Sequence, residues 1–131
     1  MTDYKYQICA FADEAGATPA EQIDAMRANG VTLLELRSVN GKNVTALTDD
    51  EMRDFRAQLD GAGIGVWAIG SPCGKHPLSE PFGPQLDTLR RTIDIARLAG
   101  ASRIRMFSFY GYDGSAAARD EVMDRLNRYV E

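Results

Sequence analysis

Three observations on this chain predict an α/β fold of four parallel βα units. A helix-like stretch runs three times into a glycine and then into an apolar strand, at Asn29-Gly30-Val31, Ala62-Gly63-Ile64 and Ala99-Gly100-Ala101. The junctions lie 33 and 37 residues apart, the length of one strand, one helix and two loops. Strand-like and helix-like patterns alternate along the whole chain, which calls for strands laid side by side in parallel. The series stops after four units, and no linker or low-complexity segment interrupts it, so residues 1–131 are expected to form a single domain.

The elements follow in order. The first strand is predicted over Tyr6 to Phe11, followed by a polar loop with Asp13, Glu14 and Gly16. Thr18-Pro19-Ala20-Glu21 is a capping box with proline at the first helical position, where no amide donor is needed. Its helix runs to about Asn29 with Ala20, Ile23 and Met26 on one face, and Gly30 closes it. Strand two is predicted over Val31 to Arg37, and the loop Ser38 to Leu47 contains the turn signal Asn40-Gly41. Thr48-Asp49-Asp50-Glu51 repeats the capping box and opens a helix with Met52, Phe55, Leu59 and Ala62 at helical spacing. Strand three covers Ile64 to Ile69 and enters a long loop holding Pro72, Pro77, Pro81 and Pro84, too poor in amide donors for helix or sheet. From Gln85 a third helix carries Leu86, Leu89, Ile93 and Ala96. Strand four covers Arg103 to Phe109, and Ser115 caps a last helix with Val122, Leu126 and Tyr129.

Composition excludes several classes of function. The 131 residues include 44% hydrophobic ones, enough for a real core. The 15 basic residues are scattered among 19 acidic ones, for a net charge of -4. That leaves no footprint for a nucleic acid backbone. No apolar run approaches the ~18 residues of a membrane helix, and Met1 to Gln7 lacks a basic region followed by an apolar core. A soluble, cytoplasmic protein is expected. Cys9 and Cys73 have neither zinc spacing nor a disulfide framework and are expected to be reduced thiols.

Two glycine-rich stretches imitate nucleotide motifs. Gly61-Ala62-Gly63-Ile64-Gly65 follows a helix and enters a strand, the reverse of the order that aims a helix N-terminus at a pyrophosphate. Gly70-Ser71-Pro72-Cys73-Gly74-Lys75 is one residue short of a phosphate loop, continues with His76 instead of Ser or Thr, and leads into prolines. Lys75 and nearby amides could still hold an anion. His76, flanked by Lys75 and Pro77, is expected to be exposed and not a metal ligand.

The sharpest chemical signal is in strand two. Alternation puts Leu34 and Leu36 on one face and Leu33, Glu35 and Arg37 on the other. With helices covering only the outer side, Glu35 and Arg37 point inward near the carboxyl end, where parallel α/β folds bind ligands. A structural alternative pairs Glu35 with Arg105 of strand four, because inward charges need compensation. Weaker candidates at other strand ends are Asp13 and Glu14, Ser71 and Lys75, and Ser108 and Tyr110. Glu14 is expected mainly to solvate its loop, and Ser108 could be a small core residue.

The run Val31 to Arg37 ending in Glu-Leu-Arg, the loop Ser71-Pro72-Cys73-Gly74-Lys75 and the strand Ile104-Arg105-Met106-Phe107-Ser108-Phe109 resemble the sugar phosphate isomerases and epimerases of the xylose isomerase-like TIM barrel superfamily. The resemblance covers nearly the whole chain. It implies half of a (β/α)8 barrel, with Glu14, Glu35, Arg37, Ser71 and Lys75 at substrate-side positions. In complete members it implies a divalent metal such as Mn, Mg or Zn, held near the ends of strands five to eight, and proton transfer beside a sugar carbonyl. A closed barrel takes eight strands in ~250 residues, so the strands bearing metal ligands are absent here. The chain is therefore expected to hold no cofactor and to form the N-terminal half of a sugar or sugar phosphate isomerase or epimerase, inactive alone. One rival is a non-catalytic half-barrel that binds an anion or sugar through Arg37 and Lys75. Another is an enzyme assembled from two identical halves with Glu35 as acid or base. Open sheet edges predict a homo-oligomer, with two copies closing one barrel.

Overall fold

The structure, a computed structural model, describes residues 5–131. Met1–Tyr4, the first part of the Met1–Gln7 segment weighed above as a leader, lie outside the described residues. The elements are β1 (Cys9–Ala10), α1 (Pro19–Ala28), β2 (Leu33–Leu36), β3 (Ser38–Val39), β4 (Lys42–Asn43), α2 (Asp49–Gly61), β5 (Gly65–Gly70), α3 (Gly83–Ala99), β6 (Ile104–Arg105) and α4 (Ala116–Val130), with short 3-10 turns at Ala12–Glu14 and Val44–Ala46. The main sheet is parallel in the order β1-β2-β5-β6. That order never reverses, as it would at the switch point of a doubly wound sheet, so the strands form one continuous wall. Among the described residues no helix is long and apolar enough to cross a membrane.

The three glycine junctions are built alike. Gly30, Gly63 and Gly100 have φ of 66°, 72° and 71°, a left-handed conformation that costs other residues energy. After each, the next amide reaches back five residues: Val31 to Met26, Ile64 to Leu59 and Ala101 to Ala96, all at 2.9 Å. Each is a Schellman closure that satisfies a helix-end carbonyl and turns the chain directly into a strand. Both capping boxes form as well, with Thr18 and Glu21, and Thr48 and Glu51, bonding reciprocally.

The outer face of the sheet is the apolar one. Leu34, Leu36 and Ile69 are buried against Met26 of α1, Met52, Phe55 and Leu59 of α2, and Ile95 and Ala99 of α3. Burying each large side chain contributes roughly 1.5–3 kcal/mol. A second cluster joins Cys73, Leu78, Phe82 and Leu89 to Phe109, Val122 and Tyr129. It fixes α4 beyond β6.

Several expectations are corrected. Regular pairing of the first strand covers only Cys9–Ala10, because among the described residues β1 has a neighbour on one side alone. Strand four pairs regularly only over Ile104–Arg105. Beyond it, the amides of Phe107 and Phe109 bond to the carbonyls of Cys73 and Gly74, so the proline-rich segment acts as the neighbour that β5 no longer provides. Pro84 belongs to the first turn of α3, where proline is tolerated. On α1, Ala20 is exposed and Gln22 takes its inward place, its amide donating to the Gly16 and Ser38 carbonyls. On α3 the buried face also includes Thr92 and Ile95. The Ser38 to Leu47 loop holds the hairpin β3-β4, turned by Asn40 and Gly41 with φ of 54° and 71°. His76 is buried at 6% exposure, edge-on to Phe109 with ring centres 5.0 Å apart, and its Nδ1 lies 3.0 Å from the Pro77 carbonyl oxygen.

Candidate functional site: the carboxyl ends of the strands

β2 has a register shift between Leu34 and Glu35, yet the alternation of its side chains persists. Leu34 and Leu36 go to the helices, and Glu35 and Arg37 go to the uncovered face. Glu35 accepts from Arg105 Nε at 2.9 Å, the pairing that inward charge compensation predicts. Gly70, at the end of β5, lies between them. A Cβ there would stand 3.0 Å from Arg105 Nη2, 3.1 Å from Glu35 Oε1 and 3.4 Å from Arg37 Cβ. Glycine at this position thus makes room for the ion pair.

A second ionic group begins at Arg37. Its Nε donates to Asp13 Oδ2 at 2.8 Å and its Nη2 to Glu14 Oε1 at 3.2 Å. Ser38 Oγ shares Asp13 Oδ2 at 2.8 Å. The Asp13 hydrogen bond holds the Arg37 guanidinium even more firmly protonated than usual. Glu14 therefore does more than solvate its loop. Phe11 lies beneath both cations, 4.7 Å from Arg37 and 5.7 Å from Arg105. Cys9, on the first strand, has its thiol pushed up by burial and then by the nearby Glu35 charge.

A cleft of about 90 Å³ opens beside these groups, lined by Arg37, Asn43, Ser71, Lys75, Arg105 and Phe107 together with Gly70 and Pro72. Lys75 lies 5.6 Å from the Phe107 ring. Among the described residues no carboxylate pairs with it. Gly74, with φ of 75°, lets the loop press against the Phe107 backbone where a side chain would collide. Ser71 is buried at 1% exposure, donating to the Arg105 carbonyl at 2.6 Å and accepting from the Cys73 amide. It therefore positions the loop with its hydroxyl already engaged.

Of the five substrate-side candidates, the structure gathers Arg37, Ser71 and Lys75 around the cleft, with Glu35 beside Gly70 and Glu14 behind Arg37. Sequence reasoning treated Arg105 only as an ion partner and passed over Asn43 and Phe107. Arg105 and Phe107 continue the same inward alternation along one chain segment, a signal that could have found them; Asn43 comes from a hairpin whose docking is non-local. Ser108 is exposed and is not a core residue. Among the described residues no three His, Cys, Asp or Glu side chains converge as a metal centre. Glu35 and Asp13 are engaged by guanidinium groups, so the donor set here does not fit a divalent metal.

These strands and helices define a class of fold: four parallel βα units that match half of a (β/α)8 barrel. One solved structure it matches is that of D-psicose 3-epimerase in the presence of D-fructose. The match has a TM-score of 0.64 and 14% identity, and covers 94% of this chain and 47% of that one. The chain thus spans about half the length of that barrel, and the likeness is one of fold. No protein-family profile matches the chain, and neither does any curated protein.

Proposed function

We propose that this chain is the substrate-holding half of a barrel that isomerises or epimerises a small sugar or sugar phosphate, and that it does not turn the sugar over by itself. The observation that carries the proposal is the convergence of Arg37, Lys75 and Arg105, from three different βα units, on one cleft at the carboxyl ends of the strands. Ligands of parallel α/β barrels bind at that end. Guanidinium forks and an ammonium donate to hydroxyl, carbonyl or phosphate oxygens. Among the described residues no carboxylate engages Lys75, so such an oxygen could recruit it without displacing one.

The proposed division of labour follows from where the carboxylates are. Glu35 and Asp13 hold arginines in place, which orients donors but leaves neither carboxylate poised over the cleft as a base. Proton transfer would then fall to groups outside residues 5–131. Calorimetric titration with D-fructose and D-fructose phosphates, paired with a turnover assay in added manganese or magnesium, tests this. Expected are sugar binding that Lys75→Ala abolishes and no turnover by the chain alone. Turnover by the chain alone, or binding indifferent to Lys75→Ala, would contradict the proposal.

A further inference from the structure

We infer that, with no complementary half-barrel present, two copies of this chain close one eight-stranded barrel, the α4 ridge of each seating in a groove beside α1 of the other. The inference rests on the fold and not on the sugar proposal. Among the described residues β1 and β6 are the two edges of the parallel sheet, each with a strand on one side only. An unpaired strand edge is a template for another strand. A barrel abolishes its edges only when eight strands close. The sheet supplies four, and the matched barrel leaves room for a unit of equal size, since this chain covers 47% of it.

The two edges carry complementary shapes. Beside β1 lies an apolar groove of about 230 Å³, lined by Ala10, Ala12, Ala15, Ala25, Met26 and Val31. In a closed barrel this is where the helix preceding β1 would pack. At the other edge, α4 turns Val122 and Tyr129 into the core and leaves Met123 and Val130 outside, 48% and 83% exposed. Met123 and Val130 are seven residues apart, two turns along one face, and rotated by about 100° from the buried pair. They form an apolar ridge that nothing covers among the described residues of one copy. Asp24 on α1 and Arg119 on α4 have no ionic partner among the described residues, and their charges are opposite. A second copy related by a two-fold axis satisfies ridge, groove and both edges at once, twice per pair. A single joined edge would leave a ridge and a groove open to continue the chain of contacts. The pair would also set two clefts at the same end of one barrel, each walled on its open side by the other copy.

Light scattering on the full chain at micromolar concentration tests this. The expected mass is twice 14.4 kDa. Met123→Glu on the ridge and Ala25→Arg in the groove should each halve it while circular dichroism stays helical, although the two residues lie at opposite edges. If Met123→Glu does not fold, Val130→Glu tests the same ridge at a more exposed position. A wild-type monomer overturns the inference. So does a series of larger assemblies, or a dimer that survives changes at both edges.

Discussion

At the amino-terminal rim of the sheet the chain solves one problem three times in the same way, whereas at the carboxyl-terminal rim no two loops are alike. The three glycine junctions share a positive φ near 70° and the same 2.9 Å closure. The opposite rim has a 3-10 turn after β1, a hairpin after β2, a proline-rich loop after β5 and an aromatic loop after β6. The difference teaches how the molecule separates repeated structural joints from the loops that build the candidate site. Uniform joints position the strands, and variable loops carry Asp13, Arg37 and Lys75 to one place. Barrel enzymes divide their rims in this way.

Substitutions can break or sharpen that contrast. The largest effect belongs to the layer both rims depend on. Leu34→Ala, at a side chain 1% exposed, should cost roughly 3–5 kcal/mol, read from denaturant midpoints. Arg105→Ala should cost about 1–3 kcal/mol by leaving the half-buried Glu35 without its donor, and adding Glu35→Gln should recover part of the loss. Gly63→Ala should cost about 1–2 kcal/mol, because only the left-handed backbone opposes the new Cβ and no atom lies within 4 Å of it. Sugar affinity should not change with it. If Gly63→Ala impaired binding as strongly as Lys75→Ala, the two rims would not be separable.

Acid should act on the helix starts. The Thr18 amide and hydroxyl hold the Glu21 carboxyl below its ordinary 4.5, and Lys42 with the Thr48 amide does the same for Glu51. A depressed folded pKa means that this stability is complete above the ordinary value and fades as pH falls through 4.5 toward the folded one. Thermal scans from neutral to acid pH should show the loss, and Glu51→Gln should flatten it. The smallest stability effect should be that of Lys75→Ala, within about 0.5 kcal/mol, although it should remove binding.

What was legible in the sequence was local. Capping boxes and glycine closures need only four to six consecutive residues, so Thr18, Thr48, Gly30, Gly63 and Gly100 announced their roles. The alternation of β2 separated Leu34 and Leu36 from Glu35 and Arg37, and compensation of inward charge anticipated Arg105 across 70 residues. Less legible was whatever depends on a distant neighbour. His76 is buried because Phe109 closes over it, and the strand through Phe107 ends early because Cys73 and Gly74 take its amides. The hairpin showed only its Asn40-Gly41 turn, since its docking depends on contacts from Ala17 and Gln22.

An amide-resolved NMR titration of the full chain with D-fructose or its phosphates tests the division between the rims most directly. The shifts should gather at Arg37 to Asn43, Gly70 to Lys75 and Arg105 to Phe107, leaving Gly30, Gly63 and Gly100 unmoved. Shifts centred on those three glycines, or none at any sugar concentration, would contradict it.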